Sequence, residues 1–160
     1  MIALRLVRMI ESHSDQLAHG LREKVLASDK LAEFRSKVPA VELEDRAFEI
    51  YRNIGDWLSQ RSEKEIETRY MEVGARRAAQ GVPFSQFLCA MTLTRDHLWE
   101  FIMLHGLVDR AMELYQELEL RQQLDAFFDR ANYYAAVGYE NYLAAQRKPA
   151  AIAAGSTVLK

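Results

Sequence analysis

The chain has one cysteine, Cys89, in 160 residues. That excludes an intramolecular disulfide and any zinc site built from several cysteines. Only three prolines and seven glycines punctuate it, so turn signals are sparse. Strand formers are scarce too, with nine valines, seven isoleucines and four threonines, and the composition is that of an all-α protein. No run approaches the ~18 apolar residues of a membrane helix, and Arg5 and Arg8 interrupt the one apolar N-terminal stretch. Neither a membrane span nor a signal peptide is expected, and a cytoplasmic location is the simplest. Charge of one sign is also missing: 21 Lys and Arg stand against 23 Asp and Glu, a net charge of −2. Without a positive field the chain has no general attraction to nucleic acid or to an anionic membrane, and neither is an expected partner.

What the sequence does have is helical periodicity. A chain of this length buries roughly 70% of its unfolded surface without a staple, and a single bundle of about five to six helices over residues 1–147, followed by a flexible tail over 148–160, is the expected organisation. The first helix runs from about Ile2 to Ala27, with Ile10, Ser14, Leu17, Leu21 and Val25 on one stripe. Asp29 caps a short second helix that Pro39 ends. A third, about Glu42 to Ser59, buries Ala47, Tyr51, Ile54 and Leu58. Ser62 and Glu65 form a capping box for a fourth helix closed by Gly81. Pro83, at the first position of a fifth helix, lacks only an amide hydrogen that would be unpaired anyway. That helix runs to about His105. The last periodic segment, about Asp109 to Gln146, carries two stripes: Ala111, Leu114 and Leu118, then Leu124, Phe128, Ala131, Ala135 and Tyr142 about 130° away. A kink or break near Glu119 to Gln123 is expected.

The fifth helix is apolar on Phe84, Phe87, Leu88, Met91, Leu98, Trp99 and Ile102, with Arg95 near the centre of that face. Leu93, His97, Phe101 and Leu104 cover the opposite side, so burial on nearly all sides is expected. Arg77 lies on the Ile66, Tyr70, Val73 stripe of the fourth helix. A buried guanidinium requires a carboxylate, carbonyls or an anionic ligand to offset its desolvation. Internal ion pairing is one outcome. The other is a site for a small anion or a partner's carboxylate, for which the candidate set is Tyr70, Arg77, Arg95, His97 and Trp99.

His97 and His105 are eight residues apart, roughly 12 Å along a helix, too far to share a metal. Neither His13 nor His19 follows a Glu by three residues, so the di-iron carboxylate pattern is absent and no metal is expected. A lone histidine on an apolar helix does raise haem as an alternative cofactor, though a hydrogen-bonded core histidine is the simpler account. No phosphate loop, nucleophile elbow or activated cysteine appears, which leaves no candidate for an enzyme. The last helix interleaves tyrosines with small residues. Ala131, Tyr134, Ala135, Gly138 and Tyr142 either pack within the domain or form a two-fold subunit interface, and a homodimer is the expected assembly.

The segment Gly74-Ala75-Arg76-Arg77-Ala78-Ala79-Gln80-Gly81-Val82-Pro83-Phe84, with Leu88, Leu93, Arg95 and Leu98-Trp99-Glu100-Phe101-Ile102 downstream, resembles the N-terminal domain of RsbRD-type RsbT co-antagonist proteins. That domain also stands before effector modules in bacterial histidine kinases and PucR-type regulators. Gly138-Tyr139-Glu140 is similar as well, and the resemblance covers about Ile10 to Leu143. It implies a non-catalytic sensory or signal-relay input domain in bacterial stress signalling, commonly dimeric, with a regulatory protein or effector domain as partner. Related stressosome input domains are globin-like without haem, so the resemblance also implies a non-haem globin-like variant of the bundle. The family's usual downstream domain does not follow, and the expectation is either a free-standing module or one part of a longer chain.

Overall fold

A computed structural model describes the backbone of residues 4–105 and 111–155, and side chains within that range up to residue 147. Among the described residues there are eight α-helices, one 3-10 turn and no strand. The all-α expectation holds, and the count of five to six helices is corrected upward. Two expected helices are each cut in two. Helix α1 spans Leu4–Ser12 and α2 spans Ser14–Ala27, divided at His13. There, side chains compete for the carbonyls that would carry the helix onward: the Ser12 hydroxyl donates to Met9 O, the Ser14 hydroxyl to Glu11 O, and the His13 ring lies 2.7 Å from Met9 O. Helix α4, Ala40–Arg52, and α5, Ile54–Ser59, are divided at Asn53 in the same way, where the side-chain amide donates to Glu49 O at 2.8 Å. Glu11 then caps α5, accepting from the Gly55 amide at 3.0 Å.

Between these lie the 3-10 turn Asp29–Leu31 and α3, Ala32–Lys37. Helix α6, Glu63–Ala79, opens on the Ser62/Glu65 capping box as its sequence predicts. Gly81, at φ 73°, supplies the left-handed turn that leads to α7, Phe84–His105. Pro83 is the residue before α7 rather than its first, its carbonyl accepting from the Phe87 amide. The last helix, α8, Ala111–Gly155, runs without a break through Glu119 to Gln123, where a kink or break was expected. The tail expected at 148–160 falls on residues whose side chains, and from 156 also the backbone, lie outside the described residues.

The longest helix pairing is α6 against α8; α2 packs on α4, and α7 meets α1, α2, α3, the 3-10 turn and α8. Glycines set the α6/α8 approach. A Cβ on Gly74 would fall 1.8 Å from Ala135 O, and one on Gly138 2.1 Å from Met71 O. Aromatic rings fill the centre: Tyr70 and Trp57 both pack on Phe127 with ring centroids 5.8 Å apart. Buried hydroxyls find carbonyls, Tyr51 donating to Thr94 O at 2.8 Å and Tyr139 to Val82 O at 2.7 Å.

Helix α7 is central but not covered all round. Its buried stripe is Phe87, Ala90, Thr94, Leu98 and Ile102, whereas Leu88, Met103 and Leu104 are exposed. Thr94 takes the position expected for Arg95, its hydroxyl satisfied by Ala90 O at 2.8 Å.

Candidate functional site

Helices α4 and α6 are linked by long side chains across a gap. From α4 come Glu42, Arg46 and Glu49, spaced four and three residues apart and so on one face. From α6 come Arg69, Tyr70, Val73, Arg76 and Arg77. Arg69 donates to Glu49 at 2.9 Å. Glu42 accepts from Arg76 Nη2 at 2.9 Å and from Arg77 Nη1 at 2.7 Å. Gln80 completes this knot, accepting from Arg77 at 2.8 Å and donating to Glu42 at 3.2 Å.

Arg77 is the charged residue in the buried core, 4% exposed, its guanidinium 5.9 Å from the Phe34 ring. The Arg76 hydrogen bonds, then the one from Arg77, hold the Glu42 carboxyl down at about 2 against the opposing effect of burial. Glu42 therefore stays ionised and matches the buried cation.

Behind this bridge lies an apolar cavity of about 60 Å³. Leu21, Phe34, Ala47, Phe87, Ala90 and Phe128 form its deep wall and are buried; Arg46, Glu49, Ile50, Arg69 and Val73 line it on the α4 and α6 side and are partly exposed. Arg46 differs from the other three arginines. It makes no hydrogen bond or ion pair among the described residues. Burial, with the nearby Arg69 and Arg77 charges, pushes its guanidinium below the usual value, while Glu42 and Glu49 pull the other way.

The five residues expected to share a ligand site are dispersed. Tyr70 and Arg77 do line this cavity. Arg95 does not reach the core; it is half-buried at the edge of α7 and pairs with its neighbour Asp96 at 3.1 Å. Trp99 is covered by the Arg121 guanidinium, 3.6 Å from the ring centroid, which ties α7 to α8. His97 faces a separate cleft of about 270 Å³ with Leu17, Lys24, Glu100, Phe101 and His105. Its Nε2 lies 2.9 Å from Leu17 O and its Nδ1 is buried without a partner. Burial and then Lys24 lower its pKa from 6.5, so the neutral ring, donating from Nε2, is favoured. Glu42, Arg46, Glu49 and Arg69 escaped sequence reasoning, because carboxylates and guanidiniums at helical spacing look like a solvated face.

The expected subunit interface is also redistributed. Ala131, Ala135 and Gly138 are buried, and Gly138 and Ala135 pack against α6 of the same chain. Tyr134 donates to Glu63 at 2.7 Å, and Tyr142 is half-buried beside the core. Among the described residues a run of exposed apolar side chains lies elsewhere. Met103 and Leu104 end α7, and Met112, Leu114, Tyr115 and Leu118 begin α8; all are exposed, Leu104 at 76% and Tyr115 at 74%. No group of His, Cys, Asp and Glu among the described residues is arranged to hold a metal, and no helix among them is long and apolar enough to cross a membrane.

A family model, the RsbT co-antagonist protein rsbRD N-terminal domain, matches residues 15–151. No curated protein and no solved structure gives a match.

Proposed function

Because the chain belongs to the RsbT co-antagonist rsbRD N-terminal domain family, we propose that it is a non-catalytic, cytoplasmic input domain that regulates a signalling protein through a homodimer. The family supports the regulatory role. The observation that carries the dimer is the exposed apolar surface where α7 ends and α8 begins. Patches of that kind mark interaction sites, and a second copy is the commonest closed solution for like subunits. Aromatic and methionine side chains such as Tyr115, Met103 and Met112 are the types enriched at such contacts.

Sedimentation equilibrium at micromolar concentration tests this. The expected result is a dimer for the wild-type chain and a folded monomer for Leu114→Glu/Leu118→Glu. A monomeric wild type removes the dimer from the reading. The non-haem globin-like arrangement remains part of the proposal on the resemblance alone. Its rival is a haem sensor, which requires His97 Nε2 to leave Leu17 O or the buried Nδ1 to open. An absorption band near ~400 nm after haem reconstitution, lost in His97→Ala, would establish that rival.

A further inference from the structure

The Arg46 guanidinium and the cavity behind it fit a ligand that is charged at one end only. The carboxylates beside it are already matched: Glu49 holds Arg69, and Glu42 holds Arg76 and Arg77. Four guanidiniums thus share two carboxylates, and Arg46 is the one without a direct partner among the described residues. A half-buried arginine is charged at any accessible pH, so the arrangement has an unmet demand for an anion. The wall behind it is apolar, formed by Leu21, Phe34, Phe87, Ala90 and Phe128. The lining residues that touch solvent are those of α4 and α6 together with Met91 of α7, and the charged ones among them, Arg46, Glu49 and Arg69, all lie on α4 and α6, which puts the polar side of the mouth at Arg46.

Size narrows the class. One water requires about 10–15 Å³ of such space, and benzene fits a cavity of about 150 Å³. The roughly 60 Å³ here holds a tail of about two to four carbons. We infer that this cavity is a binding site for a short-chain monocarboxylate, with its tail against Phe87, Ala90 and Phe128 and its carboxylate on Arg46. The guanidinium's planar pair of N–H donors suits a carboxylate's two oxygens. Formation of the site does not require the dimer.

The test titrates the full chain with acetate, propionate, butyrate and octanoate at fixed ionic strength, followed by calorimetry and by amide shifts at Leu21, Ala90 and Phe128. Butyramide and inorganic phosphate serve as the uncharged and tail-free probes. Saturable binding strongest for propionate or butyrate is expected, at least ~10-fold weaker for butyramide and for phosphate. Arg46→Gln should weaken butyrate at least ~10-fold, and Arg130→Gln, whose guanidinium sits on Glu63 away from the cavity, should leave it unchanged. Ala90→Val, which fills the cavity, should abolish binding while the melting temperature holds, so that loss of fold and loss of site are told apart. The monomeric Leu114→Glu/Leu118→Glu chain should bind as the wild type does. No saturable response to any carboxylate, equal affinity for butyramide or phosphate, or unchanged binding in Arg46→Gln would each overturn the assignment.

Discussion

Arg77 sits where a cation has little access to water, and its stability depends on Glu42 and Gln80 (2.7 and 2.8 Å). Replacing Glu42 by Gln keeps the shape but removes the charge opposite a 4%-exposed guanidinium. Breaking one side of a buried pair is strongly destabilising; with Gln80 still in place, a loss of about 2 kcal/mol is expected in urea unfolding. Because the folded pKa of Glu42 is depressed, its contribution is whole above the ordinary 4.5 and is lost as pH falls through about 2. His97 acts at higher pH with the same sign. Its folded pKa lies below 6.5, so the unfolded chain binds the proton first and stability declines as pH drops beneath 6.5. His97→Gln, which can still donate to Leu17 O, should flatten that part of the melting-temperature profile, and an unchanged slope would show that another group is responsible. The ring rests on Gly20, where an added Cβ would lie 3.0 Å from His97 Cε1 and Nε2. Arg77 was legible as an interior cation because its whole stripe was apolar. Arg95 was misplaced by one position on α7: Thr94, its hydroxyl bonded to Ala90 O, packs like an apolar residue at the place expected for Arg95.

At the scale of elements, α6 and α8 are in backbone contact, and that contact depends on two hydrogens. Alanine at Gly74 would place a methyl 1.8 Å from Ala135 O, and at Gly138 2.1 Å from Met71 O. Neither carbonyl can yield without moving its helix. Each substitution should lower stability by about 3 kcal/mol or more in chemical denaturation, although alanine raises intrinsic helix propensity. A neutral result at either site would mean the helices are further apart in solution. Sequence periodicity gave the existence of these helices, and small residues at 131, 135 and 138 showed that something comes close. Whether the neighbour belonged to the same chain was not legible, since a close-packing face reads alike in both cases. The breaks at His13 and Asn53 were hidden for a related reason: the apolar stripe continues across them, and what marks them is local, side-chain bonds to the Met9, Glu11 and Glu49 carbonyls. The ionic bridge between α4 and α6 was hidden as well, because pairing Glu42 with Arg76 and Arg77 requires knowing that the two helices face each other.

On the scale of the whole molecule, the two stripes of α8 serve different surfaces. From Leu120 through Tyr139 the helix is built into the core, with Leu120, Leu124, Phe127 and Ala131 fully buried. Before Leu120 the stripe of Leu114 and Leu118 turns away from that core, and a continuous helix leaves it in solvent. The 130° offset read from sequence separates an exposed stripe from a buried one along an unbroken helix. Arg121 on Trp99, and Arg5 within 4.0 Å of Glu113, hold this end against α7 and α1. A helix of 45 residues is roughly 67 Å long, so a contact made at its first turns is mechanically joined to its far end, where a shift of one subunit could be passed on. If two copies meet at this surface, folding and association are coupled, and the melting temperature must rise with protein concentration. For a dimer, a tenfold increase in concentration is equivalent to about 1.4 kcal/mol, which over two such chains raises the midpoint by about 2 °C. Leu114→Glu/Leu118→Glu should abolish that dependence and, because both residues are nearly half exposed, should scarcely change the stability of the subunit itself. Ala135→Glu, buried against Gly74, should instead unfold the chain at every concentration. A midpoint independent of concentration in the wild type would leave the apolar end of α8 to a different protein.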